Sequence, residues 1–83
     1  MSQRWVFVGL VVENRHESAL EIQKLLTEHG DAVLGRLGVP LPEVGVSAIG
    51  LILDGSQAHA DVLTGELRRL NNIQISTSSL TSE

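Results

Sequence analysis

Two apolar runs of strand length constrain the fold of this chain more than any other feature. Residues 4–12 (RWVFVGLVV) and 45–53 (GVSAIGLIL) are rich in β-branched and large apolar side chains, and an acidic residue follows each run. A helix that crosses a membrane needs about 20 apolar residues, so neither run is long enough to be one. Runs of this length and composition are typical of buried β-strands. The chain is therefore expected to fold around a sheet that contains both runs, with no membrane as a partner.

The segments around these runs predict an alternation of strands and helices. Apolar side chains recur every three or four positions in two segments, as in helices that bury one face. The predicted elements are a strand over 4–12, a helix over 16–29, a strand over 31–37, a strand over 45–53, a helix over 57–70 and a strand over 73–77. Both prolines fall within residues 38–43, which predicts a turn there. Asp54 or Ser56 is expected to be the N-cap of the second helix.

The order β-α-β-β-α-β describes two split βαβ units and predicts a ferredoxin-like fold. In fold class this is α+β: a four-stranded antiparallel sheet with two helices on one face. The 83 residues are expected to form one domain over 1–77, followed by a flexible polar C-terminal tail over 78–83.

Alternation along the first strand places apolar residues on both faces of the sheet. The even-numbered positions from Val6 to Val12 point to one side and the odd-numbered positions from Trp5 to Val11 point to the other. Two helices cover only one face, so a second copy of the chain is expected to cover the other. This predicts a homodimer or homotetramer that forms through the open sheet face. The alternative is that the central strands are simply hydrophobic on both sides.

Composition and charge exclude several classes of function. Six Lys and Arg against ten Asp and Glu give a net charge of -4, so no direct nucleic-acid partner is expected. The absence of cysteine excludes a disulfide scaffold, an iron–sulfur cluster and a thiol nucleophile. Ser47, Ser56 and Thr64 have no histidine at a motif spacing, so the chain is not expected to be an enzyme. No export signal is recognisable, so a cytoplasmic location is expected.

The three histidines, His16, His29 and His59, do not form a metal-binding motif. No pair has the i, i+4 spacing of a helical site and none lies in a predicted strand, so neither a metal nor a cofactor is expected. His29 is expected to interact with the helix dipole at the end of the first helix, and the other two are expected to be solvated. A site of oxygen ligands formed by Glu13 and Asp54 is a weaker alternative.

An arginine near the end of the second strand is a candidate for anion binding. Arg36 lies between Gly35 and Gly38, and its guanidinium could clamp a carboxylate or phosphate of a small ligand. An ion pair at the surface or at an interface is the alternative interpretation.

Three segments together resemble a known family: VGLVVENR (8–15), HGDAVLGRLGVPLPEVGVSAIGLILDG (29–55) and LTGELRRL (63–70). The most specific pieces are Glu13-Asn14-Arg15, Gly35-Arg36-x-Gly38-x-Pro40 and Leu63-Thr64-Gly65. Their order and spacing resemble those of small regulators encoded near iron-only hydrogenase maturation genes. The resemblance covers about residues 6–77 and implies an ACT-like domain, similar to the C-terminal domain of the nickel regulator.

The resemblance implies an oligomeric regulatory domain that senses a small effector near a subunit interface. Carried onto this chain, the candidate ligand-binding loop is Glu13, Asn14 and Arg15, beside His16. Arg36 matches a second motif position and completes the set of candidate ligand-binding residues.

Two departures from the related regulators limit what the resemblance implies. The nickel regulator uses strand histidine and cysteine ligands, which this chain lacks, so nickel sensing is not expected. No DNA-binding segment precedes Arg4, so the chain is expected to act through a protein partner or as a stand-alone sensor. The alternative function is a structural or scaffolding partner in a protein complex, without a small ligand.

Overall fold

The computed structural model describes residues 3–13, 16–71 and 73–82, and its elements follow the order expected from the sequence. They are β1 (Gln3–Glu13), α1 (His16–Glu28), β2 (Val33–Leu41), β3 (Val46–Asp54), α2 (Ala58–Arg68) and β4 (Ile73–Ser82). Short 3-10 turns over Gly30–Ala32 and Pro42–Val44 precede β2 and β3. Within the described ranges, no helix is both long and apolar enough to cross a membrane.

The four strands form one sheet in the order β2-β3-β1-β4, and every neighbouring pair is antiparallel. The two strands predicted from the apolar runs, β1 and β3, are therefore central, and β2 and β4 are the edges. In the β1–β3 pair, Val8 lies opposite Leu51 and Gly9 lies opposite Gly50. This topology confirms the α+β, ferredoxin-like βαββαβ arrangement.

Both helices pack on the same face of the sheet. The buried core contains Val6, Val8, Leu10, Val12, Ile22, Leu26, Ala32, Leu51, Leu53, Ala60, Leu63 and Leu67. The helical members are three or four positions apart, so each helix presents one apolar stripe to the sheet. The even-numbered side of β1 therefore faces the helices, and the odd-numbered side faces away from them.

The second strand is longer than predicted, which shortens the predicted turn over 38–43. β2 continues through Pro40 to Leu41, and Pro40 lies opposite Ser47 of β3. Proline has no N–H to donate, but β2 is an edge strand and needs to pair on one side only. Gly45 closes the connection with a left-handed backbone, at φ 70.

The fourth strand is also longer than predicted. Residues 78–82, expected to belong to a flexible polar tail, continue β4, with Ser78 opposite Phe7 and Ser82 opposite Gln3. Their serine and threonine side chains show no apolar alternation. Backbone pairing with the long β1, rather than side-chain burial, therefore holds this part of the strand in the sheet.

The start of α2 differs from the prediction as well. Gln57 is the N-cap and makes no capping hydrogen bond with its side chain, so neither Asp54 nor Ser56 has that role. Oδ1 of Asp54 instead accepts hydrogen bonds from the backbone N–H of Ser56 at 3.0 Å and from its hydroxyl at 2.6 Å. These two bonds hold the pKa of the Asp54 carboxyl below its usual value.

Candidate functional site

The face of the sheet opposite the helices, here called the open face, is apolar. Its exposed large side chains are Phe7, Val11, Leu37, Val39, Leu41, Ile52 and Leu80, each between 36% and 67% exposed. Cross-strand pairing places them on one surface, since Phe7 lies opposite Ile52 and Val39 lies opposite Ala48. Exposed apolar surface of this kind marks interaction sites when it is contiguous.

A row of small residues crosses the middle of the open face. This row, here called the glycine row, consists of Gly50, Gly9 and Ser76, and the larger Leu37 of β2 ends it on one side. Bulkier rows flank it, with Phe7 and Ile52 on one side and Val11 and Ala48 on the other. Two adjoining concavities of about 520 and 530 Å³ lie over it.

Nothing in the single chain requires glycine at the centre of this row. A Cβ atom added at Gly9 or at Gly50 would meet no heavy atom within 4 Å. Neither residue has a positive φ among the described glycines, so the backbone does not demand glycine either. The glycine row is therefore a depression that allows an approaching group to reach the backbone.

A smaller cavity, here called the Arg36 cavity, lies on the other face of the sheet beside α1, and its volume is about 170 Å³. Its polar lining is Glu13, Gln23, Arg36 and Ser47, and its apolar lining includes Val12, Ile22, Leu26 and Ile49. Arg36 lies opposite Leu51, so it is on the helix side of β2. Its Nη2 donates a hydrogen bond to Oε1 of Gln23 at 2.8 Å.

Two of the four candidate ligand-binding residues line this cavity. Glu13 ends β1 and Arg36 lies in β2, so the sheet brings together residues that are 23 positions apart in the sequence. Asn14 and Arg15 lie outside the described residues. The cavity therefore lies beside residues of both candidate segments, and Arg36 contributes its basic side chain on the helix side of the sheet.

A third group of polar residues was not expected to meet. His29 is buried just after α1, and its Nδ1 lies 3.0 Å from Nδ1 of His59 in α2. On the other side of the same ring, Nε2 lies 3.5 Å from Oε1 of Glu66. The only sequence signal was the helical spacing of His29 from Ile22 and Leu26, seven and three positions earlier, which indicates burial but not the partners of the ring.

Comparison with known families identifies the chain at the family level. Residues 4–77 match the TM1266-like family, described as "Iron-only hydrogenase system regulator, putative". The chain belongs to this family. The TM1266-like match covers both helices and the strands up to the middle of β4, and it includes Glu13 and Arg36. No curated protein matches the chain.

Solved structures support the same assignment. The structure of the uncharacterized protein TM1266 from Thermotoga maritima matches with a TM-score of 0.86 and 26% identity, over 94% of this chain and 98% of that chain. An unknown protein from Galdieria sulphuraria matches with a TM-score of 0.67 and 19% identity, over 100% of this chain and 47% of that chain. The de novo designed protein Foldit4 matches with a TM-score of 0.59 and 12% identity, over 98% of this chain and 99% of that chain. The last two likenesses concern the fold alone.

Proposed function

We propose that this TM1266-like chain is a small regulatory module that assembles from copies of itself through the open face and responds to a small molecule in the Arg36 cavity. The observation that carries the proposal is the open face, because seven large apolar side chains are exposed on one side of a four-stranded sheet. This is a binding function rather than a catalytic one.

The dimensions of the open face suit a second copy. Four strands of 9–11 residues, about 4.8 Å apart and rising about 3.3 Å per residue, span roughly 19 by 33 Å, or about 630 Å² in projection. The accessible surface of projecting side chains exceeds this projected area, and a standard interface buries about 800 Å² on each partner. A two-fold dimer would use the same surface on both copies, so the flanking apolar rows of one copy can enter the glycine row of the other.

The Arg36 cavity suits a small molecule with an anionic group and an apolar part. The guanidinium of Arg36 presents several N–H donors in a planar fork, and the structure shows Nη2 bonded to an amide oxygen rather than to a carboxylate. An incoming carboxylate or phosphate would therefore compete with a neutral acceptor for this donor. At about 170 Å³, the cavity can bury only part of a typical ligand, since small-molecule pockets are about 300–1,000 Å³.

Native mass spectrometry of the untagged chain, purified without added ligand, tests both parts of the proposal. We expect a dimer or a higher oligomer that carries extra mass from a retained small molecule. An Arg36→Ala variant should lose that mass but keep its oligomeric state. Arg69→Ala is the matched control, because Arg69 is exposed on the helix layer and does not line the Arg36 cavity.

Other outcomes would contradict the proposal in distinguishable ways. If the protein is monomeric at every concentration, the proposal that it assembles through the open face is wrong. An oligomer with no retained mass, and with no thermal stabilisation by any member of a panel of small carboxylates and phosphates, would favour the scaffolding alternative.

A further inference from the structure

The ring of His29 is buried and only one of its two nitrogens is satisfied. The residue is 7% exposed, and its Nδ1 is paired with His59 at 3.0 Å. Its Nε2 is inaccessible to solvent and has no hydrogen-bond partner within the described part of the chain. A buried polar atom without a partner is costly and rare in folded proteins, so this nitrogen requires an explanation.

The contact between the two imidazoles determines whether Nε2 of His29 carries a hydrogen or a lone pair. An Nδ1–Nδ1 hydrogen bond needs one N–H and one lone pair. If His59 were the donor, Nε2 of His29 would carry a hydrogen directed at the carboxylate of Glu66. Such a hydrogen bond is usually about 2.9 Å long, and the separation is 3.5 Å.

The opposite arrangement agrees better with the geometry. With His29 as the donor to His59, the lone pair of Nε2 faces Glu66. Oxygen atoms of Glu28 and Glu66 and a ring nitrogen of His29 then converge within 4.8 Å of one another. A cation between these three groups would offset the mutual repulsion of their lone pairs.

We propose that His29, Glu66 and Glu28 bind a divalent transition-metal ion, with zinc as the best match, and that His59 orients the ring of His29. Zinc takes nitrogen and oxygen ligands at about 2.1 Å in a tetrahedron, whose edge is then about 3.4 Å. The observed separation of 3.5 Å between Nε2 and Oε1 is close to that edge. Three protein ligands leave a fourth position for water or for an anionic group of a small ligand.

The surroundings supply both a hydrogen-bond partner for the ring of His29 and a route to solvent. Metal-binding histidines usually donate their other ring N–H to a fixed acceptor, and Nδ1 of His59 provides that acceptor here. Glu28 and Glu66 line a groove of about 360 Å³ between the two helices. Glu28 is exposed, so its carboxylate can move towards the ion without disturbing the core.

This site is independent of the proposed function. It lies in the helix layer, whereas the interface proposed above lies on the opposite side of the sheet. None of its three ligands lines the Arg36 cavity. A failure of the metal proposal would therefore leave the assembly and effector proposals standing, and the reverse is also true.

The test is a titration of the untagged full chain with Zn²⁺ by calorimetry, repeated with Co²⁺ while visible absorption is recorded. We expect one ion per chain, a higher melting temperature with Zn²⁺, and the intense visible bands of four-coordinate Co²⁺. Mg²⁺ should not compete, because imidazole is a poor ligand for it.

Three variants separate this site from general attraction of cations to an acidic surface. Glu66→Gln should weaken Zn²⁺ binding at least tenfold, and His59→Ala should weaken it about 10–100-fold because the hydrogen bond that orients the ring of His29 is lost. Glu21→Gln is the matched control, since Glu21 lines the same groove but belongs to no ligand set. The Zn²⁺ affinity of the Glu21→Gln variant should equal that of the wild type.

Several results would overturn the proposal. They are the absence of Zn²⁺ binding to folded wild-type protein, equal effects of Glu66→Gln and Glu21→Gln, and Co²⁺ spectra typical of a fully hydrated ion. His29→Gln, checked for folding by circular dichroism, is an additional variant. The test does not depend on His29→Gln. Glu66 is half-exposed in α2, so Glu66→Gln removes a ligand without disturbing the buried core.

Discussion

Replacing Gly50 with alanine tests the open face directly, because the structure predicts opposite effects on folding and on assembly. Gly50 lies in the central strand β3, opposite Gly9, and an added Cβ would meet nothing within 4 Å in the single chain. Glycine inside a strand costs about 0.5–1 kcal/mol relative to alanine. Gly50→Ala should therefore raise the free energy of unfolding of the isolated chain by about that amount.

The same methyl group should weaken association. If the flanking rows of a second copy enter the glycine row, an extra methyl overpacks the contact at a cost of about 1–3 kcal/mol. A two-fold dimer contains the substitution twice, so the total is about 2–6 kcal/mol. This corresponds to an increase in Kd from about 30-fold to about 20,000-fold.

Two measurements separate these effects. Sedimentation velocity across a dilution series gives Kd, and urea unfolding at a concentration where both proteins are monomeric gives the unfolding free energy. Gly38→Ala is the matched control: Gly38 lies opposite Ile49 in β2 and faces the helices, and a Cβ there also meets nothing within 4 Å. It should gain similar stability with no change in Kd. A stabilised Gly50→Ala variant with unchanged Kd would show that no partner reaches the glycine row and would refute the reasoning.

Three further changes test the fold. Gly55→Ala should lower the unfolding free energy by about 1–3 kcal/mol in urea, because its Cβ would lie 2.9 Å from the backbone oxygen of Arg4; unchanged stability would contradict this packing. Ser56→Ala should destabilise the chain near neutral pH, and the difference should shrink as the pH falls below 3.8 through the lowered pKa of Asp54; a pH-independent difference would exclude the carboxylate. Leu63→Ala should cost about 2–5 kcal/mol, since Leu63 is fully buried; a smaller loss would show that the core collapses around the site.

The order of elements was predictable because most segments carry either a helical period or the composition of a buried strand. Apolar side chains three or four positions apart identified both helices, and composition identified β1 and β3. The ends of β2 and β4 were not predictable in this way. Pro40 and the serines of 78–82 lie in edge strands that a neighbouring backbone holds in place, and backbone pairing leaves no pattern in the side chains.

The candidate sites show the same division between what local sequence predicts and what depends on tertiary packing. Glu13 and Arg36 were selected as residues and do line one cavity, but Gln23, the hydrogen-bond partner of Arg36, could not be identified without the packing of α1 on β2. The pairing of His29 with His59 and Glu66 spans 30 and 37 positions and depends on how the two helices meet. Spacing rules for metal sites describe ligands on one element, so they do not detect ligands that two helices bring together.

The strand register determines which face of the sheet Gly9 and Gly50 occupy. The sequence alone could not assign this register. Both faces of β1 are apolar, so either set of alternating positions could have faced the helices. A slip of one residue would move Gly9 and Gly50 under the helices, where missing side chains leave cavities that cost stability. The observed register places them on the open face, where the same absence creates a depression within an apolar surface. We propose that glycine at these two positions admits a group that approaches the sheet from outside, and Gly50→Ala tests that proposal.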